Sequence, residues 1–375
     1  MSRLPTNPPT PPHAQTPPSG SGSNGRIGPA VTILGVGQMG LVSSAILLDP
    51  DRGAASRSST PRPRVTLWGH SAEEVGSIAQ TRRSERLPGF RVPDAVHVAL
   101  KDEAALGHAD LIICAVPVQY IRSVWERVKP HVPRKARVLS VAKGIENGTL
   151  LRPTQIIGEV LADDPDSPPR PMAALSGPTI APELARCLPA TMIAASDDEQ
   201  FRLHVQELFT TRWMRIYTTQ DLTGVELAGA MKNVIAIAAG ILDGLQAGNN
   251  AKSALLSRGL AEIARLGTAM GASQDTFFGV AGVGDLATSC FSPEGRNRSC
   301  GEALGKGAKL ADILARSRSV IEGVATTRSV MDLARKYRVE MPIVSAVHSV
   351  LFEGLDPIDA IGQLMTREPK AERVG

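Results

Sequence analysis

Val31 to Leu48 reads VTILGVGQMGLVSSAILL: a short β-branched apolar run, then Gly35-Val36-Gly37-Gln38-Met39-Gly40, then apolar residues at helical spacing. A strand, a glycine turn and a helix in that order form a phosphate cradle. The glycines permit a tight turn and close backbone approach, and a pyrophosphate rests on the helix N-terminus. The stretch therefore points to an α/β fold that binds a dinucleotide through Gly35, Gly37, Gln38, Met39 and Gly40. A GxGxxG turn on its own is common, and here it is the flanking strand and helix that give it meaning.

Working outward, residues 49–63 (DPDRGAASRSSTPRP) read as an exposed loop before a second strand, Arg64 to Trp68, which ends in Gly69-His70. The acid that commonly binds the adenosine ribose at this point is missing, so NADP is expected to be tolerated or preferred, with His70 and Arg82 or Arg83 nearby. LIICAVP (Leu111 to Pro117) is an apolar run bounded by Asp110, which marks a buried parallel strand. Arg137 to Val141 reads the same way, and Lys143 follows it at the strand end, where open α/β sheets bind ligands. Met172 to Leu175, Thr191 to Ala195 and Met214 to Tyr217 complete the strands. The alternation up to residue 218 predicts a Rossmann-like, doubly wound parallel sheet over residues 29–218, after a disordered Pro/Ser-rich tail over 1–28. Residues 219–375 are predicted to form an all-helical second domain.

Composition limits the function classes. The chain has 375 residues, net charge +4 and only 3% aromatic residues, so stacking platforms for nucleic acid are not expected. Cys114, Cys187, Cys290 and Cys300 form no CxxC pair and have no His cluster beside them, which argues against a metal site or disulfide framework and for core thiols in a reducing compartment. Neither a secretory signal nor a membrane span is expected, and the protein is read as cytosolic. Whether it forms a homodimer is left open.

The chemically odd stretch is Gly224 to Gly240, GVELAGAMKNVIAIAAG, a helix apolar all round except for Glu226, Lys232 and Asn233. A buried ammonium must pair or lower its pKa. One reading of Lys232 is a structural ion pair with Glu226. The sharper one is a functional lysine at the bottom of a cleft, its pKa lowered toward neutrality to exchange a proton with substrate. Two further segments read as loops: Gly282-Val283-Gly284-Asp285-Leu286 carries a carboxylate, and Gly295-Arg296-Asn297-Arg298 carries a forked cation suited to phosphate. Together these features indicate alcohol–ketone hydride transfer on a small phosphorylated substrate.

Gly224 to Gly240, Gly282 to Cys290 (GVGDLATSC), Arg296 to Arg298 (RNR), Ser176 to Ala181 (SGPTIA) and Ala142 to Gly144 (AKG) resemble, in order and approximate spacing, the signature segments of bacterial NAD(P)-dependent glycerol-3-phosphate dehydrogenases. The resemblance spans about residues 30 to 368. It implies interconversion of sn-glycerol 3-phosphate and dihydroxyacetone phosphate, supplying phospholipid synthesis. It further implies that Lys232 is the proton acceptor with Asn233 beside it, and that Lys143 touches both substrate and nicotinamide. Gly177, Thr179 and Gly295 would line the substrate, Asp285 would hold the reacting oxygens or Lys232, and Arg296 and Asn297 would bind the phosphate. Gln38, Met39, His70, Ala181, Arg296, Val320 and Glu322 would contact the dinucleotide. The chain departs from the family at Met39, usually aromatic, at Leu41 and Val118, usually small hydroxyl residues, and at Gly295, often Ser. Two other readings stand beside this one: a β-hydroxyacid or ketopantoate-type reductase, which also uses a helix lysine, and a dinucleotide sensor without turnover.

Overall fold

The computed structural model describes residues 28–52, 61–163, 166–317, 319–369 and 371. The tail expected over 1–28, Gly28 apart, and the middle of the 49–63 loop lie outside these residues. Eight strands, β1 (Ala30–Leu34), β2 (Arg64–Trp68), β3 (His97–Ala99), β4 (Leu111–Cys114), β5 (Arg137–Ser140), β6 (Met172–Ser176), β7 (Ala190–Ala195) and β8 (Met214–Thr219), form one sheet in the order β3-β2-β1-β4-β5-β6-β7-β8. In this half the helices are α1 (Gln38–Leu47), α2 (Ala72–Thr81), α3 (Asp102–Leu106), α4 (Ile121–Val128), α5 (Pro153–Leu161), α6 (Ala181–Leu184) and α7 (Glu199–Phe209). Val, Ile and Leu side chains from the strands bury both faces of the sheet against these helices, as the apolar run at Leu111 to Cys114 requires.

The sheet departs from the expected all-parallel order at one pair. β7 runs antiparallel to β6, and β8 pairs parallel with β7, so the last two strands oppose the first six. The connection between β6 and β7, residues 177–189, holds only a four-residue helix, α6, and the chain returns beside β6 in the opposite direction. The three-residue β3 escaped the sequence reading because HVA is too short to show an alternating pattern.

Beyond Thr219 the described residues are helical: α8 (Leu222–Gly244), α9 (Gly248–Ala269), α10 (Gln274–Phe278), α11 (Asp285–Phe291), α12 (Arg296–Gly305), α13 (Leu310–Arg316), α14 (Glu322–Tyr337), α15 (Pro342–Phe352) and α16 (Pro357–Met365). The two segments read as loops are helix starts. Asp285 opens α11 after a wide π turn at Val280–Gly284, and Arg296 opens α12 with Gly295 as its N-cap. Glycine content hid both, since glycine reads as turn even where a helix uses it for close packing.

Helix α8 is the axis of this half. It is long and apolar enough to cross a membrane, with mean hydropathy 1.6 over its most apolar stretch, yet Gly224 to Leu242 are all buried within the protein. Asp221 caps its start by accepting from the Gly224 backbone N–H at 2.8 Å. Helix α12 lies backbone to backbone against it: a Cβ at Gly240 would sit 1.9 Å from the Arg298 carbonyl oxygen, and one at Gly301 equally close to that of Ile237. The expectation of core thiols holds for Cys114, Cys290 and Cys300, while Cys187 is exposed at a left-handed turn with φ 56°.

Gly301→Ala should therefore force α12 off α8 and lower stability by about 1–3 kcal/mol, read as a lower denaturant midpoint. A second expectation concerns Glu262 on α9, buried and accepting from the backbone N–H groups of Ile343 (2.8 Å) and Val344 (3.2 Å). Burial raises its carboxyl to about 7. The protonated form is thus favoured in the fold, so stability from this group is present at acid pH and lost as pH rises through 7. The melting temperature should fall between pH 5 and pH 8, by an amount equivalent to about 3 kcal/mol at most, and Glu262→Gln should flatten that slope.

Candidate active site

The carboxyl ends of β1, β4, β5 and β6 open onto a cavity of about 1150 Å³ whose opposite wall comes from α8, α11, α12 and α14. Gly35 (φ 119°) and Gly144 (φ 149°) take backbone conformations that side chains rarely adopt, which lets the β1 and β5 ends turn sharply away. A Cβ at Gly37 would meet nothing within 4 Å, so the turn before α1 is bare backbone facing the cavity. Gly40 is buried beneath it, where a Cβ would strike the Gly35 carbonyl oxygen. This is the shape of a pyrophosphate cradle, and the residues fit a dinucleotide.

At the other end of the cavity, Asp285 holds two lysines. Its Oδ2 lies 2.5 Å from Lys143 Nζ and its Oδ1 2.9 Å from Lys232 Nζ, and Asp285 itself is 1% exposed. Lys143 also donates to the Gly177 carbonyl at 3.1 Å and Lys232 to Ser289 Oγ at 2.6 Å. Burial alone would raise the Asp285 carboxyl, yet Lys143 and Lys232 together outweigh it and hold the group below the usual carboxylate range. Burial lowers the Lys143 ammonium, with Lys232 adding to the effect and Asp285 opposing it. Two lysines thus share one buried carboxylate.

Lys232 thus pairs with Asp285 and not with Glu226. Glu226, one and a half turns earlier on the helix, faces away to Arg152 and accepts from Thr154 N (2.9 Å) and Thr154 Oγ1 (2.8 Å). Beside Lys232, Asn233 Oδ1 accepts from Asn297 Nδ2 at 2.9 Å, while Asn233 Nδ2 is buried without a partner and borders the cavity. Asn297 Oδ1 in turn accepts from the Gly323 backbone N–H at 2.9 Å, so this amide ties together α8, α12 and α14. Arg296 lines the cavity and donates to the Val320 carbonyl at 3.2 Å. Arg298, two residues on, turns aside to Asp243 at 2.6 Å. Burial raises the Glu322 carboxyl, with Arg296, Lys232 and Lys143 opposing.

Of the residues singled out from sequence, Gln38, Met39, His70, Lys143, Thr179, Ala181, Lys232, Asn233, Gly295, Arg296, Asn297, Val320 and Glu322 line this one cavity, as do Gly35 and Gly37. Gly40, Gly177 and Asp285 stand behind its wall. Gly177 acts on it through its carbonyl, and Asp285 through the two lysines. Arg82 does not reach the His70 end: its guanidinium is spent on the Val96 carbonyl at 2.8 Å. The guanidinium lining the cavity there is Arg86. Ser289, one turn after Asp285 on α11, also lines the cavity; nothing in the sequence singled it out, because its segment read as a loop.

Two family descriptions match the chain: "NAD-dependent glycerol-3-phosphate dehydrogenase N-terminus" over residues 30–202 and its C-terminal counterpart over 221–362. A glycerol-3-phosphate dehydrogenase [NAD(P)+] from Salinibacter ruber is 44% identical over 345 residues, covering 92% of this chain and 96% of that protein. One from Geobacter sp. is 44% identical over 311 residues, covering 83% and 92%. The crystal structure of glycerol-3-phosphate dehydrogenase from Coxiella burnetii superposes with a TM-score of 0.82 at 34% identity, covering 91% of this chain and 99% of that one. With a glycine cradle and a lysine–aspartate–lysine cluster on one cavity and this similarity along its length, the chain belongs to the NAD(P)-dependent glycerol-3-phosphate dehydrogenase family.

Proposed function

We propose that the chain interconverts sn-glycerol 3-phosphate and dihydroxyacetone phosphate, with the dinucleotide along the sheet side of the cavity and the three-carbon phosphate between the lysine cluster and Arg296. The observation that carries this reading is the placement of Lys143, Lys232, the unpartnered Asn233 amide and Arg296 on the same cavity as the bare Gly37 turn. Bound NAD(P)(H) supplies hydride donation and acceptance. The protein's own groups supply everything else.

Lys232 acts as the proton donor to the developing alkoxide in ketone reduction and as acceptor in alcohol oxidation, and its contact with Ser289 sets the direction of its Nζ. Lys143 places a second positive charge at the strand end facing the carbinol oxygen, stabilising negative charge as it forms. Asp285 acts as a positioning residue that aims both ammonium groups and keeps the cluster from repelling itself. The Asn233 Nδ2 donor is satisfied when substrate oxygen arrives, and Arg296 offers a forked donor to phosphate, with Asn297, Gly295 and Thr179 shaping the rim. Gln38, Met39, His70, Ala181, Val320 and Glu322 border the dinucleotide side. This activity belongs to the cytosol, where both coenzymes and three-carbon phosphates circulate.

The reading is tested by following loss of NADPH or NADH absorbance when dihydroxyacetone phosphate is added to purified protein. Turnover should appear, and Lys232→Ala should reduce kcat by roughly 10²–10⁴-fold. Arg296→Ala should raise KM for dihydroxyacetone phosphate roughly 10- to 100-fold, with a smaller effect on kcat. Failure of the wild-type protein to oxidise either coenzyme with this ketone, alongside turnover of ketopantoate, would transfer the site to the hydroxyacid reductases. Asp285→Asn leaves two buried cations without their counter-charge, and should cost about 3–5 kcal/mol of stability as well as most of the activity, both read on the same preparation.

A further inference from the structure

The β2 end is packed too tightly to carry the acid that often reads the adenosine ribose. A Cβ at Gly69 would lie 2.8 Å from Val75 Cγ2 and 3.0 Å from both Val36 γ-carbons, so the β2–α2 turn is pressed against the glycine loop. The next residue, His70, is exposed and lines the cavity. Two charged side chains line the same cavity. Glu74 lies in the first turn of α2, where Ser71 caps the helix, and Arg86 lies in the segment after α2. Their groups form a two-point ion pair, Arg86 Nε to Glu74 Oε1 and Arg86 Nη2 to Glu74 Oε2 at 3.0 Å, with side chains 40% and 25% exposed. The Arg86 segment is itself fastened to the glycine loop, since Gln38 Nε2 donates to the Arg86 carbonyl at 2.9 Å.

We infer that the Glu74–Arg86 pair reads the 2′ position of the coenzyme's adenosine ribose: Arg86 binds a 2′-phosphate, and Glu74 holds Arg86 while limiting how strongly it does so. The inference rests on the dinucleotide reading of this cavity and concerns how the chain tells NADP(H) from NAD(H). A guanidinium with one edge on a carboxylate keeps donors for a phosphate on its other edge. Glu74 cancels part of the positive field, so the phosphate gains less than it would from a free arginine. Glu74 also offers an acceptor to a free 2′-hydroxyl, the role that the missing acid fills elsewhere. The outcome is use of both coenzymes, with the phosphorylated one preferred.

The test uses the adenosine ends alone. Calorimetric titration of wild type, Arg86→Gln and Glu74→Gln with 2′,5′-ADP and with 5′-AMP should give wild-type binding of 2′,5′-ADP roughly tenfold tighter than of 5′-AMP. Arg86→Gln should weaken 2′,5′-ADP roughly 10- to 100-fold and leave 5′-AMP within about threefold. Glu74→Gln should tighten 2′,5′-ADP a few-fold and weaken 5′-AMP. The kcat/KM ratio of NADPH to NADH should move in the same directions. Equal weakening of both nucleotides by Arg86→Gln, or unchanged 2′,5′-ADP binding, overturns the inference. Melting temperatures should stay close to wild type, because an exposed pair contributes at most about 1 kcal/mol, so a loss of fold is recognised directly. These titrations need no turnover, so a failed ketone assay bears on the proposed reaction and leaves this inference to be judged by binding.

Discussion

One buried carboxylate determines where the two halves of the chain meet. Asp285 starts a helix in the second half, yet its two oxygens are divided between Lys232 from the same half and Lys143 from the end of β5. Neither lysine is tolerable in that place alone, since desolvating an unpaired ammonium costs several kcal/mol. The carboxylate is equally intolerable without them. The three groups solve each other's burial only when the sheet edge and the helical half are in register, so the geometry needed for the chemistry and the geometry needed for stability are the same.

The position of α8 makes that register possible. Small residues along it let α12 approach at backbone distance, which brings Arg296 and Asn297 to the level of Lys232 and Asn233. A helix buried on every side has no freedom to rotate its one lysine toward solvent, so the lysine is committed to the cavity. The Asn233–Asn297–Gly323 chain of hydrogen bonds then fixes the start of α12 against the same helix. On the opposite wall the glycine loop is fastened to the Arg86 segment through Gln38, so that end of the cavity is set by contacts that bypass the lysine–aspartate cluster.

Much of this was legible from the residues. Strand positions followed from apolar runs bounded by Asp, Pro and Gly, because a strand buried on both faces must be apolar throughout. Lys232 stood out as the one cation in an apolar helix, and Lys143 as a lysine at a strand's carboxyl end. What stayed hidden had specific causes. The reversal of β7 and β8 could not be read, because local propensity is the same for either strand direction. The helical starts at Asp285 and Arg296 were masked by glycines that serve packing. Glu226 was read as a structural partner for Lys232, and Asp285 only through the resemblance, until the helix face of each was known; Arg82 and Arg83 were the arginines expected near the ribose, and Arg86, which lines the cavity, was not among them.

The sequence by itself determined most element types and the family, because periodicity, glycine turns and residue classes act over short spans of chain and survive without knowledge of neighbours. Only the tertiary structure decided which charge meets which: Lys232 with Asp285, Glu226 with Arg152, Arg298 with Asp243, Arg86 with Glu74. Such pairings join residues from 12 to 142 positions apart when Lys143–Asp285 is counted among them, and side-chain charge acts over a few ångströms of space, to which separation along the chain is no guide.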